Sequence, residues 1–102
     1  MLVVSVTYTV HKDFIQTNME NISKFLEDFK LLDHTQFLYT IFQSEDGRTF
    51  VHNSQYANKE IQQYLLNIPS FLNFQKLRDK NLFSKPTITF LQYVGASKEI
   101  MR

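Results

Sequence analysis

Residues 36–56 decide the fold. They read Gln36-Phe37-Leu38-Tyr39-Thr40-Ile41-Phe42-Gln43, then Ser44-Glu45-Asp46-Gly47, then Arg48-Thr49-Phe50-Val51-His52-Asn53-Ser54-Gln55-Tyr56. The first run is rich in β-branched and aromatic strand formers. Asp46-Gly47 supplies the positive φ that a tight hairpin needs, so residues 48–56 are expected as the antiparallel partner strand.

Working outward, residues 3–10 alternate, with Val4, Val6, Tyr8 and Val10 on one side and Ser5, Thr7 and Thr9 on the other. A period of two marks a half-buried first strand. Over residues 13–31 the period changes. Ile15, Met19, Ile22, Leu26 and Phe29 recur at steps of four and three, with Phe25 beside them. That spacing predicts an amphipathic helix, capped near Lys12-Asp13. Beyond the hairpin a second helix is expected from the N-cap residue Asn58, burying Ile61, Tyr64 and Leu65. Pro69 cannot donate a backbone hydrogen bond and disfavours helix at Ile68, so a break and restart are expected there. Phe71, Phe74 and Leu77 carry a helical face on to about Asp79. Residues 80–86 form a connection closed by Pro86, residues 87–94 a last strand, and residues 95–102 an exposed tail.

The order β-α-β-β-α-β over residues 1–102 predicts a single α+β domain of the ferredoxin-like kind. Right-handed crossovers give a four-stranded antiparallel sheet with its helices on one face. The other face poses a problem. The strand over 36–43 has Phe37, Tyr39 and Ile41 on one side and Leu38 and Phe42 on the other, and the last strand sets Ile88 and Phe90 against Leu91 and Tyr93. Apolar area of that kind is rarely left in water. A second copy packed face to face about 10 Å away would cover it, forming a dimeric α+β barrel. The ten phenylalanines offer material for two such layers. The other solution is that the tail folds over the open face.

Composition narrows the function. The net charge is +1 and the eleven Lys and Arg are scattered, so no basic stripe is present to hold a phosphate backbone and nucleic acid is not expected as a partner. Cysteine is absent, which removes thiol nucleophiles, disulfides and Cys-based zinc sites. The run from Met1 to Tyr8 has neither the basic flank nor the apolar core of a signal peptide, and no stretch has the roughly 18 apolar residues of a membrane helix. A cytoplasmic location with no membrane partner is therefore expected. The two glycines, Gly47 and Gly95, are too far apart for a phosphate-binding loop. His11 and His34 have no second ligand at metal-site spacing, so no metal is expected. The acid pairs Glu27-Asp28 and Glu45-Asp46 read as solvated charge.

The stretch from Phe37 to Val51 resembles the central hairpin of the antibiotic biosynthesis monooxygenase-like family. Tyr56-Ala57-Asn58-Lys59-Glu60-Ile61 resembles that family's strand-to-helix step, and Ile68-Pro69-Ser70-Phe71 its Pro-His-Phe region. Lys85-Pro86 before the last strand fits as well. The resemblance covers nearly the whole chain and implies the dimeric α+β barrel. It carries chemistry less well. The family often closes its third strand with an acid and, two positions later, an aromatic; here those positions are Ser54 and Tyr56. A histidine often precedes the proline by four residues and another follows it; here they are Leu65 and Ser70. Haem-degrading relatives use an Asn, a Trp and a His, and this chain has no tryptophan. No haem or other cofactor is expected.

The residues themselves offer one candidate catalytic group. His52 lies mid-strand, with Phe50, Ser54 and Tyr56 on its face by period two. A histidine in an apolar pocket with hydroxyl neighbours can serve as a general base, and equally as a satisfied core residue. We expect it to face the barrel interior beside Ser54 and the hydroxyl row Ser5, Thr7 and Thr9, although strand period alone leaves open which side faces the helices. Tyr39, Tyr56 and Tyr64 are candidate walls for a ligand. Two readings follow. One is a small homodimer, joined through the open sheet face, that binds an apolar or aromatic metabolite between the sheets. The other is a cofactor-independent monooxygenase acting on a quinol-like aromatic, with His52 as base.

Overall fold

The computed structural model describes residues 1–99. Strand β1 is Leu2–Thr9, helix α1 Ile15–Phe29, β2 Phe37–Gln43, β3 Thr49–Tyr56, α2 Lys59–Leu66, α3 Pro69–Asp79 and β4 Thr87–Leu91. The four strands form one antiparallel sheet in the order β2-β3-β1-β4, the ferredoxin-like βαββαβ arrangement with its second helix divided in two.

Local chemistry sets the boundaries. In the hairpin turn Gly47 has φ +74° and its N–H donates to the Ser44 carbonyl at 2.9 Å. Asp46 closes the turn, accepting from the backbone N–H of Arg48 and of Thr49 and from the Thr49 hydroxyl. The Asn58 side chain caps α2 by accepting from the N–H of Ile61 at 3.0 Å. Pro69 ends that helix and, as the first residue of α3, starts the next, where its missing N–H costs nothing. The expected cap near Lys12-Asp13 is not formed. A single 3₁₀ turn, Lys12–Phe14, leads into α1 with no side-chain cap. The last strand stops at Leu91, short of the expected end at residue 94, and residues 95–99 are exposed, the rest of the expected tail lying outside the described residues.

All the helices lie on one side of the sheet. The core between them holds Tyr8, Phe25, Phe50, Tyr56, Leu65, Phe71 and Phe74. Phe25 is its hub, with ring centroids 4.9 Å from Phe74, 5.0 Å from Phe71 and 5.1 Å from Phe29. Seven of the ten phenylalanines are buried in this single layer, so they do not supply two. The buried stripe of α1 is Asn18, Asn21, Ile22, Phe25 and Phe29, while Met19 is largely exposed. Tyr64, expected to be buried, is 61 % exposed.

Among the described residues no helix covers the opposite face. Strand pairing puts Leu38, Thr40 and Phe42 of β2, Val51 and Asn53 of β3, Ser5 and Thr7 of β1, and Thr89 and Leu91 of β4 there, because directly opposed residues share a face. The edge strands bring Leu38, Phe42 and Leu91 to this face, and the central strands bring Val3 and Val51 together with the polar Ser5, Thr7 and Asn53.

Candidate functional site

Pairing also decides where His52 points. It sits opposite Val6 on β1 and Ile41 on β2, so it shares the helix-facing side with them. Its ring stacks on Phe74 at 5.4 Å and lies 6.2 Å from Phe25. The expected position in the barrel interior is therefore wrong. The row Ser5, Thr7 and Thr9 lies on the other face, where Ser5 donates to Asn53 at 2.9 Å and Thr9 pairs with Thr49 at 2.8 Å.

The partners of His52 are two tyrosines. Nε2 is 2.8 Å from the Tyr8 hydroxyl and Nδ1 is 2.8 Å from the Tyr39 hydroxyl. Asn18, from the middle of α1, donates its Nδ2 to the Tyr8 oxygen at 3.0 Å. Burial, with the Arg78 guanidinium as second cause, pushes the His52 pKa down from 6.5 to about 3. Burial likewise pushes Tyr8 up to about 12 and Tyr39 well above its usual 10. At neutral pH the trio is uncharged, and both ring nitrogens are engaged. A base needs a free nitrogen and a pKa near the working pH. His52 has neither, so the assignment of His52 as general base is withdrawn. Nor is it packing alone, because it borders a cleft.

That cleft has a volume of about 190 Å³ and lies between the sheet and helices α2 and α3. Tyr39, His52, Ser54 and Tyr56 line it from β2 and β3, and Val4 and Val6 from β1. Gln62 and Leu66, four apart on α2, and Phe71, Gln75 and Arg78, spaced four and three on α3, close it from above. Ile88 and Phe90 of β4 form its outer wall, and both are exposed because no helix of the described residues extends over that strand.

Among the described residues Arg78 is the only charged group on the wall, and it is 8 % exposed. Its Nε and Nη2 both donate to Oδ1 of Asp79, at 3.0 and 2.9 Å. Its guanidinium carbon lies 5.2 Å from the Tyr8 ring centroid and 5.4 Å from that of Phe74, within cation–π range. The Ser54 hydroxyl donates to the Val4 carbonyl at 3.2 Å. Burial raises the Tyr56 pKa, and the neighbouring Ser54 hydroxyl opposes that rise.

Of the sequence candidates, the structure thus brings together Tyr39, His52, Ser54 and Tyr56. It leaves Ser5, Thr7 and Thr9 on the far face, and Tyr64 on a separate groove between α2 and β2. Sequence reasoning missed Tyr8, Asn18 and Arg78. Asn18 had a signal, a polar side chain one turn before Ile22 on the buried stripe. Arg78 had none. A larger cavity of about 620 Å³ lies on the other side of Tyr39, bordered also by Phe29, Lys30, His34, Leu38, Lys98 and Glu99, and it opens to solvent along the exposed tail. Among the described residues no cluster of His, Asp or Glu could hold a metal ion, and no helix is long and apolar enough to cross a membrane.

Comparison with solved structures fits this geometry. A crystal structure of an antibiotic biosynthesis monooxygenase superposes with a TM-score of 0.79 at 14 % identity, over 93 % of this chain and 100 % of that one. The chain has the antibiotic biosynthesis monooxygenase fold. A candidate antibiotic biosynthesis monooxygenase from Nitrosomonas europaea gives 0.80 at 15 % identity, over 93 % and 100 %. Rv0793 from Mycobacterium tuberculosis gives 0.78 at 14 % identity, over 95 % and 98 %. No protein-family model matches the sequence, and no curated protein matches it. At these identities the monooxygenase likeness is one of fold.

Proposed function

We propose that this protein is a small homodimeric binding module that takes up an aromatic metabolite in the cleft between its sheet and helices α2 and α3. The cleft carries the reading. Its walls are mostly apolar, and a few polar groups converge on it, among them the buried guanidinium of Arg78 and the hydroxyls of Tyr39 and Tyr56. That combination is the usual make-up of a small-molecule site. An apolar cavity of about 150 Å³ holds one benzene, so a cleft of about 190 Å³ suits a single substituted ring. The ligand is thereby moved from between two sheets to between sheet and helices. The engaged, neutral imidazole supports binding over catalysis by His52.

The open sheet face is the proposed dimer surface. Phe42 and Leu91, 53 % and 50 % exposed in the single chain, lie on its rim with Leu38. Single-ring aromatics titrated into ¹⁵N-labelled protein should shift the amide signals of Ser54, Tyr56, Leu66 and Gln75. Leu66→Trp, which fills the cleft, should abolish those shifts while the circular dichroism spectrum is kept. Shifts confined to other regions, or none with any ring tested, would refute the assignment.

A further inference from the structure

We infer that His52 is a positioning residue that makes the Tyr39 hydroxyl a hydrogen-bond donor to the cleft, so that the cleft selects rings carrying an acceptor oxygen, a carbonyl or a phenolate. This rests on the reading of the cleft as an aromatic-ligand site.

A neutral imidazole has one N–H and one bare nitrogen. With a tyrosine hydroxyl 2.8 Å from each nitrogen, one tyrosine donates to the ring and the other accepts from it. Asn18 decides which. Its amide nitrogen donates to the Tyr8 oxygen. The Tyr8 hydroxyl has no further hydrogen-bond partner among the described residues, so its hydrogen goes to Nε2 of His52. The ring proton then sits on Nδ1 and is donated to the Tyr39 oxygen. Every donor in the series Asn18, Tyr8, His52, Tyr39 points the same way. The last hydrogen, on Tyr39, has no acceptor among the described residues, and Tyr39 lines the cleft. A buried donor left unpaired costs free energy until a ligand supplies the acceptor. Arg78, the charged group on the same wall, offers only N–H as well.

Two probes separate the possibilities. Acetophenone and α-methylstyrene have nearly the same shape and differ by a carbonyl oxygen in place of a methylene. Their affinities for the wild-type protein and for Tyr39→Phe can be measured by NMR titration. The ¹⁵N spectrum of the wild-type imidazole, read without ligand, shows which ring nitrogen carries the proton. We expect the proton on Nδ1, acetophenone bound about tenfold more tightly than α-methylstyrene, and no difference between the two in Tyr39→Phe. The opposite amide orientation of Asn18 would reverse the ring, so a proton on Nε2 overturns the inference whether or not a probe binds. Equal binding of both probes to the wild type overturns it while leaving the aromatic site standing. Failure of both probes to bind overturns the site and the inference together.

Discussion

The Tyr8 hydroxyl lies 2.8 Å from Nε2 of His52, a buried hydrogen bond between residues 44 apart in sequence. It ties β1 to β3 within the core, and through Asn18 it ties both strands to α1. Removing it with Tyr8→Phe keeps the ring but strands the Asn18 amide and one imidazole nitrogen away from water. We expect a loss of about 1–3 kcal/mol in unfolding free energy, read from urea denaturation. A change within about 0.5 kcal/mol, the range of a neutral surface substitution, would show that the three groups do not depend on one another.

Acid should destabilise the fold in a defined window. His52 is held neutral by burial, its pKa pushed down to about 3. In the unfolded chain the same imidazole takes up a proton near pH 6.5. Between about pH 6.5 and 3 the unfolded state binds the extra proton, so stability rises with pH. The contribution is complete above that window and is lost as pH falls through it. The expected slope approaches about 1.4 kcal/mol per pH unit. Asp33 and Asp46, held below the ordinary carboxylate range by hydrogen bonds from Thr35 and Thr49, add losses only in stronger acid. Denaturation curves between about pH 4.5 and 6.5, the upper part of the imidazole window, therefore report on His52. They should flatten in His52→Gln. An unchanged slope would place the responsible group elsewhere.

The helix break at Pro69 leaves α2 only eight residues long, too short to hold itself together by backbone bonds alone. Its start depends on the Asn58 cap. Asn58→Ala should cost about 1 kcal/mol, and Asn58→Ser much less. Equal losses for the two would show that the side-chain oxygen is not the stabilising group.

Assembly is testable by one charge. Phe42 stands half-exposed on the open face of β2, opposite Val51. Sedimentation of the wild type should give a dimer at micromolar concentration, and Phe42→Asp should give a monomer or an aggregate. A monomeric wild type would end the dimer proposal.

Much of the fold was legible in the sequence because its causes are local. The period of two in residues 3–10, Asp46-Gly47 at the turn, Asn58 before a helical face and Pro69 inside one each act within a few residues. Together they dictate the βαββαβ order. The hairpin held more than order. Its turn sets Ile41 opposite His52 and Tyr39 opposite Ser54, so the shared face of Phe37, Tyr39, Ile41 and His52 could be read from loop length alone. The site itself could not. No local turn links β1 to β3, so the pairing of Val6 with His52 is set by burial across the whole sheet. One residue of slip would have sent His52 to the hydroxyl row on the open face. Asn18, Tyr8 and Arg78 reach it from three separate elements, and only packing of α1 and α3 on the sheet brings them together. The sequence by itself determined the elements and their order. The tertiary structure alone decided which face carries the histidine, and gave it two tyrosines.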